Sequence, residues 1–83
     1  MNRDDIQGRV QEALAEQLGL GTHEVTPSAR FEEDLDADSL DLVEVVLRLE
    51  EAFEIDIPEE EMQKLKTVGE AVGLVASKLG VPA

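Results

Sequence analysis

Eighty-three residues with no cysteine, tryptophan or tyrosine, two phenylalanines and a formal net charge of −13 make one domain, residues 1–83, near the lower size limit for a core without staples. The composition excludes disulfides, thiolate metal sites and thiol chemistry by the chain's own side chains. It also lacks the stacking platforms and positive charge that nucleic acid requires. No apolar run reaches the length of a membrane span or a signal-peptide core, and Met1-Asn2-Arg3-Asp4-Asp5 lacks a positively charged leader. A cytoplasmic protein without membrane insertion is expected.

The first helix is expected from about Asp5 to Leu18, with Asp4 as its cap and acidic residues where the helix dipole favours them. Ile6, Val10, Ala13, Leu14 and Leu18 form one apolar stripe. Gly8 weakens it by up to about 1 kcal/mol relative to Ala, and Gly19 is placed to end it in a left-handed turn. Residues 19 to 37 then form a long connection holding Gly19, Gly21, Pro27 and Ser28. Loops of this length are functional or pinned by their own side chains, and Val25, Phe31 and Leu35 are the candidate pins.

The stretch from Asp38 to Phe53 reads as a helix capped by Asp38, with Ser39 in its first turn and Asp41 near its positive end. At about 100° per residue, Leu42, Val46, Leu49 and Phe53 share one sector with Val45 at its edge, the pattern of a core face. Leu40, Val43 and Leu47 fall in a second sector about 130–150° away by the same arithmetic. Glu44 and Glu51 flank that sector on one side and Glu50 on the other. A small domain rarely buries both sides of a surface helix, so this second stripe is covered by another part of the chain or docks something outside it.

Ile55-Asp56-Ile57-Pro58 is expected to be an extended link, with Pro58 setting the start of a short helix from Glu59 to about Leu65 that carries Met62 and Leu65 on one side. Thr67 and Glu70 form a capping box for a last helix on which Val68, Val72, Val75 and Leu79 recur at helical spacing, closed by Gly80 and Pro82. The predicted fold is all-α, a small four-helix bundle of three long helices and one short.

Charge is concentrated around the main helix. Residues 32–61 hold 14 of the 20 acidic residues and a single basic one, Arg48, while the remainder balances at six against six. Such a run reads either as a solvated face or as a field that steers basic surfaces. Its coincidence with a surplus apolar stripe favours a docking surface.

No catalytic arrangement is apparent. Ser39 as a nucleophile needs a base, and the one histidine, His23, lies in the long loop without a partner that the sequence identifies. There is neither a nucleophile elbow nor an oxyanion-hole motif. Asp34, Asp36 and Asp38 alternate like the start of a calcium loop, but Ser39 stands where that loop needs glycine and Val45 where it needs a bidentate glutamate. Neither catalytic residues nor a metal site are therefore expected. Ser39 makes better sense as an attachment point: a phosphodiester fixed there would meet the unpaired amides of the helix start, a placement contributing about 0.3–1 kcal/mol. The competing reading is a serine that merely suits a first turn.

Phe31, Glu33-Asp34-Leu35, Asp38-Ser39-Leu40-Asp41, Val43-Glu44, Leu49-Glu50-Glu51 with Phe53, and Ile57-Pro58 followed by acidic residues stand in an order and spacing that resembles the acyl carrier proteins. The resemblance is sharpest there and extends over nearly the whole chain. It implies a four-helix carrier with no catalysis of its own, in which Ser39 receives 4′-phosphopantetheine from coenzyme A through a phosphopantetheinyl transferase. The terminal thiol of that arm carries acyl groups as thioesters, supplying what a cysteine-free chain lacks. It further implies a monomer that meets fatty acid or polyketide synthase enzymes through their basic docking surfaces and shelters acyl chains between its helices.

Leu40, Val43, Glu44 and Leu47 match positions that face partners in the family, in agreement with the second stripe. The candidate partner surface is Asp38, Leu40, Asp41, Val43, Glu44, Leu47, Glu50 and Glu51. One position departs from the pattern: the family usually has glycine two residues before the Asp of its signature, and this chain has Asp36. Either the backbone there needs no left-handed residue or the loop is shaped differently, and Asp tolerates such a conformation.

Asp38 and the acidic helix favour a discrete fatty-acid carrier over a peptidyl carrier, and the starting Met1 without a flanking linker favours a free-standing form. A specialised carrier, as in polyketide synthesis, is the close alternative, and an unmodified acidic interaction module the distant one. Self-repulsion among the carboxylates should lower stability. Added salt or divalent cations are therefore expected to raise the melting temperature; a melting temperature indifferent to ionic strength contradicts this.

Overall fold

Among the described residues, three of the four helices start at a capping box, in which a side chain accepts an amide of the first turn and a carboxylate accepts the amide of the cap residue. The computed structural model, which describes residues 1–81, contains α1 (Arg3–Leu18), α2 (Ser39–Phe53), α3 (Glu59–Met62) and α4 (Val68–Lys78), with no named strand among those residues. Asn2, Asp38 and Thr67 cap α1, α2 and α4, paired with Asp5, Asp41 and Glu70. The first of these corrects the expected start. Asn2 Oδ1 accepts the Asp5 amide at 2.9 Å, so α1 begins two residues earlier and Asp4 lies inside its first turn.

Gly19 ends α1 in the left-handed conformation, as predicted. After Phe53, residues 55–58 run without regular structure into α3, which ends at Met62 instead of reaching Leu65. Beyond it the chain tightens into three-residue turns, with Lys64 and Leu65 donating to Glu61 and Met62. Gly80, at φ 73°, follows α4. Pro82, expected to help close that helix, lies outside the described residues.

α1 packs on both α2 and α4, and α2 meets α3. Ile6, Val10 and Leu14 of α1, Val45 and Leu49 of α2, and Val68, Val72 and Val75 of α4 are at most 1% exposed. The core face of α2 thus follows its predicted sector, with two adjustments. Val45 lies deep inside, and Leu42 is only half-buried. Leu79 departs from the expected core stripe of α4: it falls past the last helical turn, as the cap residue, and is exposed.

Val25, Phe31 and Leu35 are buried as the pins of the long connection. A short 3-10 turn, Thr22–Glu24, opens it. Backbone bonds stitch the rest to the start of α4: Phe31 N–H donates to Lys66 O (2.9 Å), Val68 N–H to Ala29 O (3.0 Å) and Gly69 N–H to Pro27 O (2.8 Å). At Gly69 a Cβ would lie 3.0 Å from that Pro27 oxygen, so a larger residue would have to push the two backbones apart by a few tenths of an ångström.

The segment ahead of α2 folds back on itself, with Ala37 N–H donating to Phe31 O at 2.9 Å. Asp36, at φ 55°, makes the reversal. The left-handed conformation that suits a glycine is therefore present here with an aspartate in it, at a strain of about 1–2 kcal/mol that Asp partly relieves. Leu35 and Ala37 on either side are buried, which holds the strained residue in place.

Two stability predictions follow from this packing. Leu49→Ala removes a fully buried side chain and is expected to cost about 2–5 kcal/mol in denaturant unfolding, and Leu49→Glu to abolish the folded state by burying an unpaired charge. Leu47→Glu, on the exposed side of the same helix, should change stability by under about 0.5 kcal/mol; unfolding of Leu47→Glu with a tolerant Leu49→Glu would reverse the two faces. Asp36→Gly should leave the midpoint equal or higher, whereas Asp36→Val should lower stability by about 1–2 kcal/mol, since a β-branched residue is poorly accommodated at positive φ.

Candidate functional site

The cap of α2 fixes the residue that the sequence singles out. Asp38 Oδ1 accepts the Asp41 amide at 2.9 Å and Asp41 Oδ2 accepts the Asp38 amide at 3.1 Å. Ser39 follows as the first helical residue, exposed, beside the amides that a helix start leaves unpaired. None of the side-chain hydrogen bonds among the described residues engages its hydroxyl. The loop ahead of it is held by Arg30, whose backbone N–H donates to Asp34 Oδ2 at 2.8 Å and whose Nε donates to the same oxygen at 3.2 Å.

The Arg30 hydrogen bonds hold the Asp34 carboxyl below its ordinary value of 3.8. The contribution of this exposed pair is present above the ordinary carboxylate range and is lost as the pH falls through the lowered value.

Ser39 borders a cavity of about 210 Å³ between α2 and α3. Its apolar wall is Phe31, Leu42, Met62 and Leu65, and its rim carries Glu32, Glu33, Gln63 and Lys66. Sequence reasoning placed Met62 and Leu65 on one side of the short helix but found neither Gln63 nor Lys66, because a rim assembled from two segments distant in sequence has no periodic signature. Leu42 is half-buried because it faces this cavity.

The second stripe of α2 lies open. Leu40, Val43 and Leu47 are 74%, 40% and 53% exposed. Val43 and Leu47 continue into a groove that ends at Ile57 and Met62. Glu44 and Glu51 are exposed beside Leu47, and Asp38 is exposed at the helix start. Asp41 is half-buried in the capping box. Glu50 differs from the other acids: it is half-buried and its Oε2 accepts the Ile57 amide at 2.8 Å, fastening the link to α3. Residues of α1 that the sequence did not single out also reach this surface, with Gln17 Nε2 donating to Glu44 Oε2 at 2.9 Å.

This end of the bundle therefore combines a free hydroxyl at a helix start, an apolar cavity next to it, and an apolar face ringed by carboxylates. Among the described residues no helix is long and apolar enough to cross a membrane. Residues 8–75 match the family described as phosphopantetheine attachment site. An acyl carrier protein of Rubrobacter xylanophilus is 55% identical over 75 residues, which cover 90% of this chain and 93% of that protein. The site suits the cofactor of that family: the amides at the start of α2 favour a phosphate, and Gln63 and Lys66 add donors at the mouth of a cavity whose apolar wall suits an alkyl chain. On this match in sequence, the chain belongs to the acyl carrier proteins, whose cofactor is a covalently attached 4′-phosphopantetheine derived from coenzyme A.

Proposed function

We propose that this protein is a discrete cytoplasmic carrier, one domain over residues 1–83, that holds acyl intermediates of fatty acid biosynthesis as thioesters on a phosphopantetheine joined to Ser39. The observation that carries the reading is the exposed Ser39 hydroxyl at the start of α2, beside the cavity between α2 and α3. The protein itself performs no catalysis. Its residues place the arm at the positive end of α2, offer the cavity to the first carbons of an acyl chain, and present the exposed stripe to enzymes that act on the thioester.

The partner surface comprises Leu40, Val43 and Leu47 with Asp38, Asp41, Glu44 and Glu51, and it fits basic rims around an apolar patch on a phosphopantetheinyl transferase and on synthase enzymes. Glu50 acts there through the backbone of Ile57, holding the edge of the groove to α3.

Incubation of the protein with coenzyme A, magnesium and a phosphopantetheinyl transferase is expected to add the mass of a single phosphopantetheine, read by intact mass spectrometry. Ser39→Ala should show no gain, and an equal gain in that variant would overturn the assignment. Leu47→Glu should remain folded yet be modified more slowly.

A further inference from the structure

Two adjacent residues near the end of α1 reach across to α2 at positions one turn apart. Gln17 Nε2 donates to Glu44 Oε2, and Arg48 pairs with the carboxylate of Glu16. Arg48 is the only basic residue in the acidic stretch 32–61. On α2 it follows Glu44 by four residues and precedes Glu51 by three, the spacings at which helical side chains meet. All three line one groove with Leu47 and Gln17. A guanidinium at that position has two docking carboxylates within its reach, and pairing with either would cancel charge that a basic partner needs.

Glu16 supplies a third carboxylate, from a different helix and outside the exposed stripe. With Arg48 turned to it, Glu44 and Glu51 enter no ion pair among the described residues. The contact from Gln17 is a neutral donor, so it orients Glu44 without removing its charge.

We propose that Glu16 and Gln17 are positioning residues for the docking surface: Glu16 draws Arg48 away from Glu44 and Glu51, and Gln17 orients Glu44, so that the free protein already presents both acids to a basic partner. The inference rests on the docking role given above for this face. It adds α1 to the residues that set partner recognition, through a cation that sits inside an otherwise anionic surface. Exposed pairs of this kind are individually weak, so their effect is a bias in side-chain populations, read as a modest change in association.

The test uses the unmodified full chain with a phosphopantetheinyl transferase and coenzyme A, following product by intact mass. Glu16→Gln should raise KM about two- to fivefold at low ionic strength with kcat unchanged, and the difference should vanish in about 0.5 M NaCl. Adding Arg48→Gln to that variant should restore KM to the original value or below. Glu12→Gln removes the same charge from an exposed site on α1 that takes part in no ion pair among the described residues, and should move KM by less than about 1.5-fold.

Equal effects of Glu16→Gln and Glu12→Gln, or no rescue by Arg48→Gln, would overturn the proposal. A protein that is folded but never modified would instead sink the carrier function. In that event nuclear magnetic resonance still decides the positioning role. Contacts from the Arg48 guanidinium protons to the side chains of Glu44 or Glu51 should appear in Glu16→Gln and not in Glu12→Gln, and their absence in both would overturn it.

Discussion

Burial of one side of α2 is the constraint from which the rest of the structure follows. Val45, Val46, Leu49 and Phe53 are buried, with Leu49 fully inside. Each such side chain gains about 1.5–3 kcal/mol on leaving water. That burial fixes the rotation of the helix about its own axis, so the opposite stripe has no freedom to turn inward. Leu40, Val43 and Leu47 stay in water because covering them by rotation would withdraw Leu49 and Val45 from the core. The exposed apolar face is thus maintained by packing on the other side of the same rod. Ser39 lies in the first turn of that rod, and the direction its hydroxyl takes is set by the same contacts.

A second constraint fixes where the rod begins. The reciprocal bonds of Asp38 and Asp41 start α2 at one residue, and the preceding loop is tied down by backbone bonds from Phe31, Val68 and Gly69. Strain at Asp36 is tolerated because buried Leu35 and Ala37 hold both ends of the reversal. The aspartate also adds another carboxylate just ahead of the cap, in a stretch that is already acidic. A glycine would relax the backbone but remove that charge, so conformation and electrostatics pull this position in opposite directions.

The helices and the two faces of α2 were legible because both rest on local rules, side-chain capping and the 3.6-residue period. Thr67 with Glu70 and Asp38 as a cap are examples. Local rules also explain the misses. Asn2 and Asp4 are both good caps, and only the bonds at Asp5 select between them. Leu79 keeps the period of α4 but falls past its last turn, where periodicity has no meaning. Periodicity gives a residue's angle about a helix but not which residue of another helix lies opposite. For that reason the pairing of Arg48 with Glu16, the engagement of Glu50 by Ile57 and the rim of the cavity beside Ser39 had no sequence signal. The place of Ser39 at a capped helix start marked it as a candidate attachment point and the spacing of the residues marked the face beside it; the family resemblance named 4′-phosphopantetheine as the group.

The placement of the few cations bears on the proposed docking surface. Arg30 pairs with Glu33 and Asp34, Lys78 with Glu61 at 2.6 Å, and Arg48 with Glu16. Exposed pairs contribute little to stability, so they offset little of the repulsion carried by a net charge of −13. Where they sit has a larger effect than how much they stabilise. Among the described residues none of these pairs involves Glu44 or Glu51. That leaves the charge of Glu44 and Glu51 focused beside the exposed stripe of α2, where a basic rim could meet it. A sequence with the same composition but Arg48 paired along its own helix would keep its fold and lose that focus.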